Sequence, residues 1–281
     1  KNLMNLFSES NLSPEIIKAV GELGYESPTE IQKQTIPFIL SDIRDLIALA
    51  QTGTGKTAAF SLPILDMIDD TSRKIQLLVL APTRELALQI AKDIKNYTKY
   101  LPNVKTTAVY GGSSITDQIR NLREKPQIIV GTPGRVIDLI NRKALDFSQI
   151  HWLVLDEADR MFDLGFEPQV MKILGLIRPD RQTVLFSATF PKPMESLARK
   201  MLRPVVAQLQ GRFAHLGQIE LWCDPFRVIA QRCLKLDPMG RLLSRQHHHV
   251  SQALDGDWAR FDIEVRVRRK LVVQRLLGEF F

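Results

Sequence analysis

Six short apolar runs, each closed by a polar or glycine-rich cluster, constrain the fold of this chain more than any other feature. The runs are residues 46–50, 77–80, 106–110, 128–130, 152–155 and 183–186. Each is rich in Val, Ile or Leu, the pattern of strands buried on both faces of a parallel sheet. Helical periodicity fills the gaps. Residues 85–99 set Leu86, Leu88, Ile90, Ala91 and Ile94 on one apolar side. Ser13-Pro14-Glu15 reads as a helix start, with Ser13 as N-cap and Pro14 in the first helical position. Strand and helix in alternation predict an α/β fold, a parallel sheet flanked by helices, up to about residue 206.

The clusters that close the runs carry the chemistry. In chain order they are residues 51–57 (QTGTGKT), 81–85 (APTRE), Gly111-Gly112, 131–135 (GTPGR), 156–159 (DEAD) and 187–189 (SAT). Ligands of open α/β sheets bind outside the carboxyl ends of the strands, so six such clusters share one working edge. Singly, several have bland alternatives. Arg84 and Glu85 can simply begin a helix, and Pro133-Gly134 can be only a turn.

The strongest cluster is residues 50–57: Ala50, Gln51, Thr52, Gly53, Thr54, Gly55, Lys56 and Thr57. A glycine-rich turn between strand and helix lets backbone N–H groups approach phosphate oxygens, and the helix N-terminus adds positive potential. Gly53 and Gly55 suit the tight backbone, Lys56 the terminal phosphates, and the Thr57 hydroxyl a Mg²⁺ ion. Ala50 stands where the general motif begins with Gly. Asp156-Glu157, after an apolar strand, fits the second acidic motif of such enzymes. Asp156 is then the metal-binding carboxylate and Glu157 the group that orients and deprotonates the attacking water.

Taken in order, AQTGTGKT, PTRELA (residues 82–87), TPGR (132–135), DEAD and SAT resemble the first-domain motifs of DEAD-box RNA helicases. Residues 24–32 (GYESPTEIQ) resemble that family's Q motif, with Phe7 as its isolated upstream aromatic. The resemblance covers about residues 4–206 and is similar to RhlE-like members. It implies a RecA-like P-loop domain that binds ATP and Mg²⁺. It also implies that Gln32, with Tyr25 in the same motif, meets the adenine and that Phe7 stacks on the base. Pro82, Thr83, Arg84, Gly111, Gly112, Thr132, Pro133, Gly134 and Arg135 are implied to line an RNA backbone path. Contacts of that kind reach phosphate and sugar and tolerate sequence, and contacts to the 2′-hydroxyl separate RNA from DNA. Asp159, Ser187 and Thr189 are implied to couple the acidic motif to strand binding.

The family's ATP cleft needs a second RecA-like domain with an HRxGRxxR-like arginine-finger motif. Residues 207–281 contain no such run. Residues 1–206 hold 14 Lys and 12 Arg, and 207–281 hold 2 Lys and 10 Arg, with two of the three Trp and four of the five His. The break marks an expected boundary: a domain at 1–206 and an atypical tail of unassigned fold at 207–281. A second domain supplied in trans, an ATP- and RNA-binding module without turnover, and a truncated or frameshifted helicase product remain the alternatives. In the tail, residues 261–277 have apolar content enough for a helix, and residues 266–270 (RVRRK) are basic. His247, His248 and His249 with Cys223 and Cys233 match no usual zinc spacing.

Charge and cysteine content agree with this reading. The net charge of +7 suits a polyanionic partner. Two cysteines are too few for a disulfide framework, no run approaches a spanning helix, and the first seven residues carry no long apolar segment. The expectation is a cytoplasmic protein with no membrane partner.

Overall fold

The computed structural model describes residues 6–203, 206–210 and 220–221. The chain divides into two units, Lys1–Trp222 and Cys223–Phe281, and every described residue lies in the first. The expectations for residues 223–281, including the zinc reading and the basic cluster, lie outside the described residues.

After a 3-10 turn at Phe7–Glu9 come α1 (Pro14–Glu22) and α2 (Glu30–Ser41). Strand and helix then alternate: β1 (Asp45–Leu49), α3 (Lys56–Met67), β2 (Leu77–Leu80), α4 (Arg84–Tyr97), β3 (Thr106–Val109), α5 (Ile115–Leu122), β4 (Ile128–Gly131) and α6 (Pro133–Asn141). The series closes with β5 (Trp152–Leu155), α7 (Ala158–Asp163), α8 (Glu167–Leu174), β6 (Gln182–Ser187), α9 (Lys192–Met201), β7 (Val206–Gln210) and β8 (Glu220–Leu221). The sheet order is β3-β4-β2-β5-β6-β1-β7-β8. All neighbours pair in parallel except β7 with β8, which are antiparallel.

Two cores follow from the period-two alternation of side chains along each strand. Leu46, Ala48, Leu77, Val79, Ile128, Val130, Val154 and Val184 face a layer built from α1 to α4. Ile47, Leu78, Leu80, Ile129, Leu153, Leu155 and Leu185 face α6 to α9. With helices on both faces β2, β4, β5 and β6 are buried along their whole length, as expected for a parallel sheet, while the edge strand β3 is half-buried at Thr107 and Ala108.

Three local expectations are corrected. Leu88 is exposed, and the buried stripe of α4 is Ala87, Ile90, Ala91, Ile94 and Tyr97, because helical spacing of three and four residues leaves position 88 off that face. Ser13 holds the N-cap position of α1 but its side chain makes no capping bond; its N–H donates to Asp66 Oδ1 at 2.8 Å. β7 starts at Val206 and pairs along the whole of β1, so the sheet runs past the compositional break.

The rim at the amino ends of the strands is sealed by buried polar side chains. Asp45, 1% exposed, accepts from the N–H groups of Thr183 (2.8 Å) and Arg203 (2.6 Å) and from the Arg203 guanidinium. Gln127 donates to Ser72 O and Asn103 O and accepts from Lys105 N. Gln182 donates to Asp42 O and Arg44 O. Each side chain stands in for backbone partners that loops at a strand end lack.

Candidate functional site

All six clusters lie at the carboxyl rim, and the strand order sorts them. Gly111-Gly112, residues 132–135 and residues 82–84 follow β3, β4 and β2, three neighbours; residues 156–159, 187–189 and 51–57 follow β5, β6 and β1, the next three. The clusters expected to line RNA form one contiguous half of the edge, and those expected to hold the nucleotide, with the coupling residues Asp159, Ser187 and Thr189, form the other.

In the second half, the loop leaves β1 through Ala50, whose N–H donates to Ser187 O at 2.9 Å. Gly53 and Gly55 have φ of 79° and 85°, left-handed values that glycine adopts without penalty. Gly55 is the N-cap residue of α3, so the first amides of that helix begin at Lys56. An anion placed there meets N–H groups that have no partner within the helix.

Two residues of α2's first turn hold this loop. Thr29 Oγ1 donates to Thr54 O (2.9 Å) and Gln32 Nε2 donates to Gly55 O (3.0 Å), while Gln32 Oε1 accepts from Thr29 N (2.9 Å). Gln32 is 3% exposed. Its amide, expected on an adenine, is thus engaged at both ends, with one further lone pair and one further N–H available. Thr29 was not singled out in the sequence, although Thr29-x-x-Gln32 is a capping-box spacing, and that box is formed. Phe7 is buried in the core with its ring 6.4 Å from that of Tyr25, which is 38% exposed.

Lys56 and Asp156 meet at 3.5 Å (Nζ to Oδ1), with 7% and 3% of their side chains exposed. Lys56 Nζ has no hydrogen-bond partner among the described residues. Burial pushes the Asp156 carboxyl above the usual carboxylate range; Glu157 adds to this and Lys56 opposes it. Glu157 turns the chain from β5 into α7 with φ 52° and ψ 52°, a left-handed conformation that costs about 1–3 kcal/mol in a residue with a side chain. The Glu157 carboxylate lies 3.4 Å from the exposed Arg160 guanidinium.

Asp159 joins this half together. Its Oδ2 accepts from Thr189 N and Thr189 Oγ1, both at 2.9 Å, and its N–H donates to Ser187 Oγ at 3.3 Å. Ser187 Oγ in turn donates to Thr189 O at 2.6 Å. Partial burial raises the Asp159 pKa, but the hydrogen bonds from Thr189, Arg160 and Ser187 outweigh it and the carboxyl sits below its usual range.

In the first half, Thr83 caps α4 by accepting from Leu86 N at 3.3 Å. Arg84 is exposed and lays its guanidinium over the Tyr110 ring, 4.9 Å from the centroid. Gly111 and Gly112 are exposed, Gly112 with φ of 76°, and a side chain on Gly112 would come within 3.8 Å of Arg84. Pro133 occupies the first turn of α6, with Thr132 as its N-cap residue. Arg135 donates through one terminal nitrogen to Ser113 O at 3.1 Å, and the other, buried, has no partner among the described residues. Tyr110 and Ser113 carry no sequence signal that would have marked them; only the approach of the three loops selects them.

Residues 29–197 match the DEAD/DEAH box helicase family. The chain belongs to that family. This DEAD-box chain is 43% identical over 244 residues to the ATP-dependent RNA helicase CshA of Listeria monocytogenes, covering 86% of the chain and 46% of that protein. It is 49% identical over 223 residues to the pre-mRNA-processing ATP-dependent RNA helicase prp11 of Schizosaccharomyces pombe, covering 76% and 22%. A DEAD box protein from the hyperthermophile Methanococcus jannaschii superposes with a TM-score of 0.70 at 40% identity, over 74% of this chain and 56% of that one. The chain thus spans less than half the length of the curated relatives it matches. The fold is that of the DEAD-box RecA-like domain, and the RhlE-like subtype rests on the sequence resemblance alone. No helix among the described residues is long and apolar enough to cross a membrane.

Proposed function

We propose that this chain is the ATP-binding domain of an ATP-dependent RNA helicase. ATP docks its phosphates on the amides of residues 53–57, and single-stranded RNA lays its backbone along Arg84, Gly112 and Arg135. The observation that carries the reading is Lys56 Nζ, a buried ammonium whose ion-pair partner, Asp156 Oδ1, stands at 3.5 Å, beyond normal hydrogen-bond length, so that its donors are left short of acceptors among the described residues. Such a group is costly to maintain unless an anion completes it. A phosphate oxygen beside the α3 N-terminus supplies that anion.

The donor set also suits Mg²⁺. Thr57 offers a half-buried hydroxyl on the first turn of α3, and both polar contacts of the Asp156 carboxylate fall on Oδ1. Hard oxygen donors of this kind, completed by phosphate and water, are what Mg²⁺ selects. The metal, when bound, neutralises charge on the phosphates. Lys56 orients the terminal phosphate, Glu157 accepts the proton of the attacking water, and the Asp159–Ser187–Thr189 network relays between the two halves of the rim.

Relatives named ATP-dependent RNA helicases at 43–49% identity support this reading. RNA-stimulated phosphate release, compared between the chain and Glu157→Gln, tests it. Stimulation lost in the variant is expected, and equal rates overturn the role of Glu157. Lys56→Ala is expected to lose nucleotide affinity with an unchanged circular dichroism spectrum; retained affinity removes the assignment. A second reading is ATP and RNA binding without turnover by residues 1–281 taken alone, since residues 207–281 contain no arginine-finger run. An absent arginine finger costs about 10³–10⁵ in rate. That reading predicts RNA binding with no phosphate release until a second RecA-like domain is supplied, in the same chain or in trans.

A further inference from the structure

Arg84 and Tyr110 belong to different loops, and nothing in the sequence connects them. β2, which precedes Arg84, and β3, which precedes Tyr110, are not neighbours; β4 lies between them. The Arg84 side chain therefore crosses above the carboxyl end of β4 to reach the ring, 4.9 Å from its centroid. Arg84 is exposed and forms no salt bridge among the described residues. An exposed arginine on a helix end ordinarily samples many rotamers, and ordering it on contact with a ligand reduces affinity.

The backbone that carries the ring is held in place. The Tyr110 carbonyl accepts from Gln118 Nε2 at 3.0 Å, and Gln118, 5% exposed, also donates to Ser113 Oγ at 2.6 Å. Gly112 lies beside the guanidinium, where a Cβ would stand 3.8 Å from one Arg84 terminal nitrogen, and its left-handed φ turns the loop there. A face-on aromatic holds a guanidinium by its quadrupole while leaving the in-plane N–H groups pointing outward. Those N–H groups form a fork suited to a phosphate.

We propose that Tyr110 is a positioning residue for nucleic-acid binding: its ring presents the Arg84 guanidinium, edge outward, to one phosphate of the bound strand. This rests on the reading of the first half of the rim as the RNA path. The ring face carries the interaction, and the hydroxyl is dispensable. Tyr110 reads no base and adds no charge. It shortens the search of Arg84 for its phosphate.

The test measures affinity of the full chain for a fluorescein-labelled poly-uridine strand by anisotropy, at several salt concentrations, for Tyr110→Leu, Tyr110→Phe, Arg84→Ala and the double variant Tyr110→Leu/Arg84→Ala. Arg84→Ala is expected to weaken binding and to reduce the slope of log affinity against log salt by about one, the loss of one phosphate contact. Tyr110→Leu is expected to weaken binding about two- to fivefold with the slope unchanged, because the charge remains and only its ordering is lost. Tyr110→Phe restores the parent affinity, and Tyr110→Leu has no further effect once Arg84 is Ala. The last two results separate positioning from a structural role, which Phe would not rescue selectively and the Arg84 background would not silence. If Arg84→Ala weakens binding but Tyr110→Leu does not, or if the two losses add, the positioning role is wrong and the RNA path stands. If neither variant alters binding, the RNA path fails and takes the inference with it.

Discussion

Gly55→Ala offers a quantitative test of how α2 grips the phosphate loop. A methyl group built on Gly55 lies 2.4 Å from Gln32 Nε2, and the backbone there has φ of 85°. Two costs therefore arise from one substitution. Alanine in the left-handed region costs about 1–2 kcal/mol. Displacing Gln32 breaks its bonds to Gly55 O and Thr29 N, each worth about 0.5–1.5 kcal/mol. The expected loss is about 2–5 kcal/mol in equilibrium urea unfolding, with the slope against denaturant unchanged. In a Gln32→Ala background the methyl group meets no obstacle, and only the backbone part, about 1–2 kcal/mol, remains. The difference between the two backgrounds isolates the clamp. Equal losses in both would show that Gln32 does not bear on Gly55, and the described grip of α2 on the loop would be wrong.

Gly131→Ala should cost about 1–3 kcal/mol by overpacking, since its methyl would approach Val109 Cγ2, Val136 Cγ2 and the Val109 carbonyl within 3 Å. Adding Val136→Ala should recover part of the loss in a thermal melt, and no recovery would relocate the clash. Asp159→Ala removes the acceptor of two Thr189 bonds at a partly open site. It should cost about 1 kcal/mol while lowering RNA stimulation of phosphate release more than basal release. Equal reductions of both rates would exclude a relay through Asp159. Asp146 is held down to about 2, chiefly by Lys74 and then by Ser148. Its folded pKa lies below the unfolded value, so its stabilisation is present above about pH 4 and disappears as pH falls towards 2. Asp146→Asn should therefore lower stability by under about 1 kcal/mol at pH 7, for an exposed pair, and converge with the parent in acid. A constant gap between their urea midpoints from pH 7 to pH 3 would contradict this.

The six strands expected from the apolar runs stand within one residue of those observed, because strands buried on both faces are apolar along most of their length, with polar residues such as Asp45, Thr106 and Gln182 confined to their ends. β7 was not anticipated. Val-Ala-Gln-Leu-Gln has a weak strand pattern of its own, and its pairing partner β1 lies more than 150 residues earlier. The phosphate loop and the acidic motif were legible because backbone approach and metal binding demand particular residue types at set spacing. The Tyr110–Arg84 stack was not, since an aromatic after a strand has no fixed meaning until strand order decides what lies above it. The grip of Thr29 and Gln32 on the loop sits between these cases, because the capping-box spacing marks a helix start but says nothing of what lies opposite.

The two rims of the sheet have different occupations. Asp45, Gln127 and Gln182 close the amino rim with bonds to loop backbone, some 5 residues of strand away from the chemistry at the other end. Damage to that rim should yield heat-sensitive proteins whose surviving molecules work normally, whereas damage to the carboxyl rim should impair binding or turnover even in the molecules that stay folded. A selection for thermal tolerance can thus act on one end of the molecule without disturbing the other.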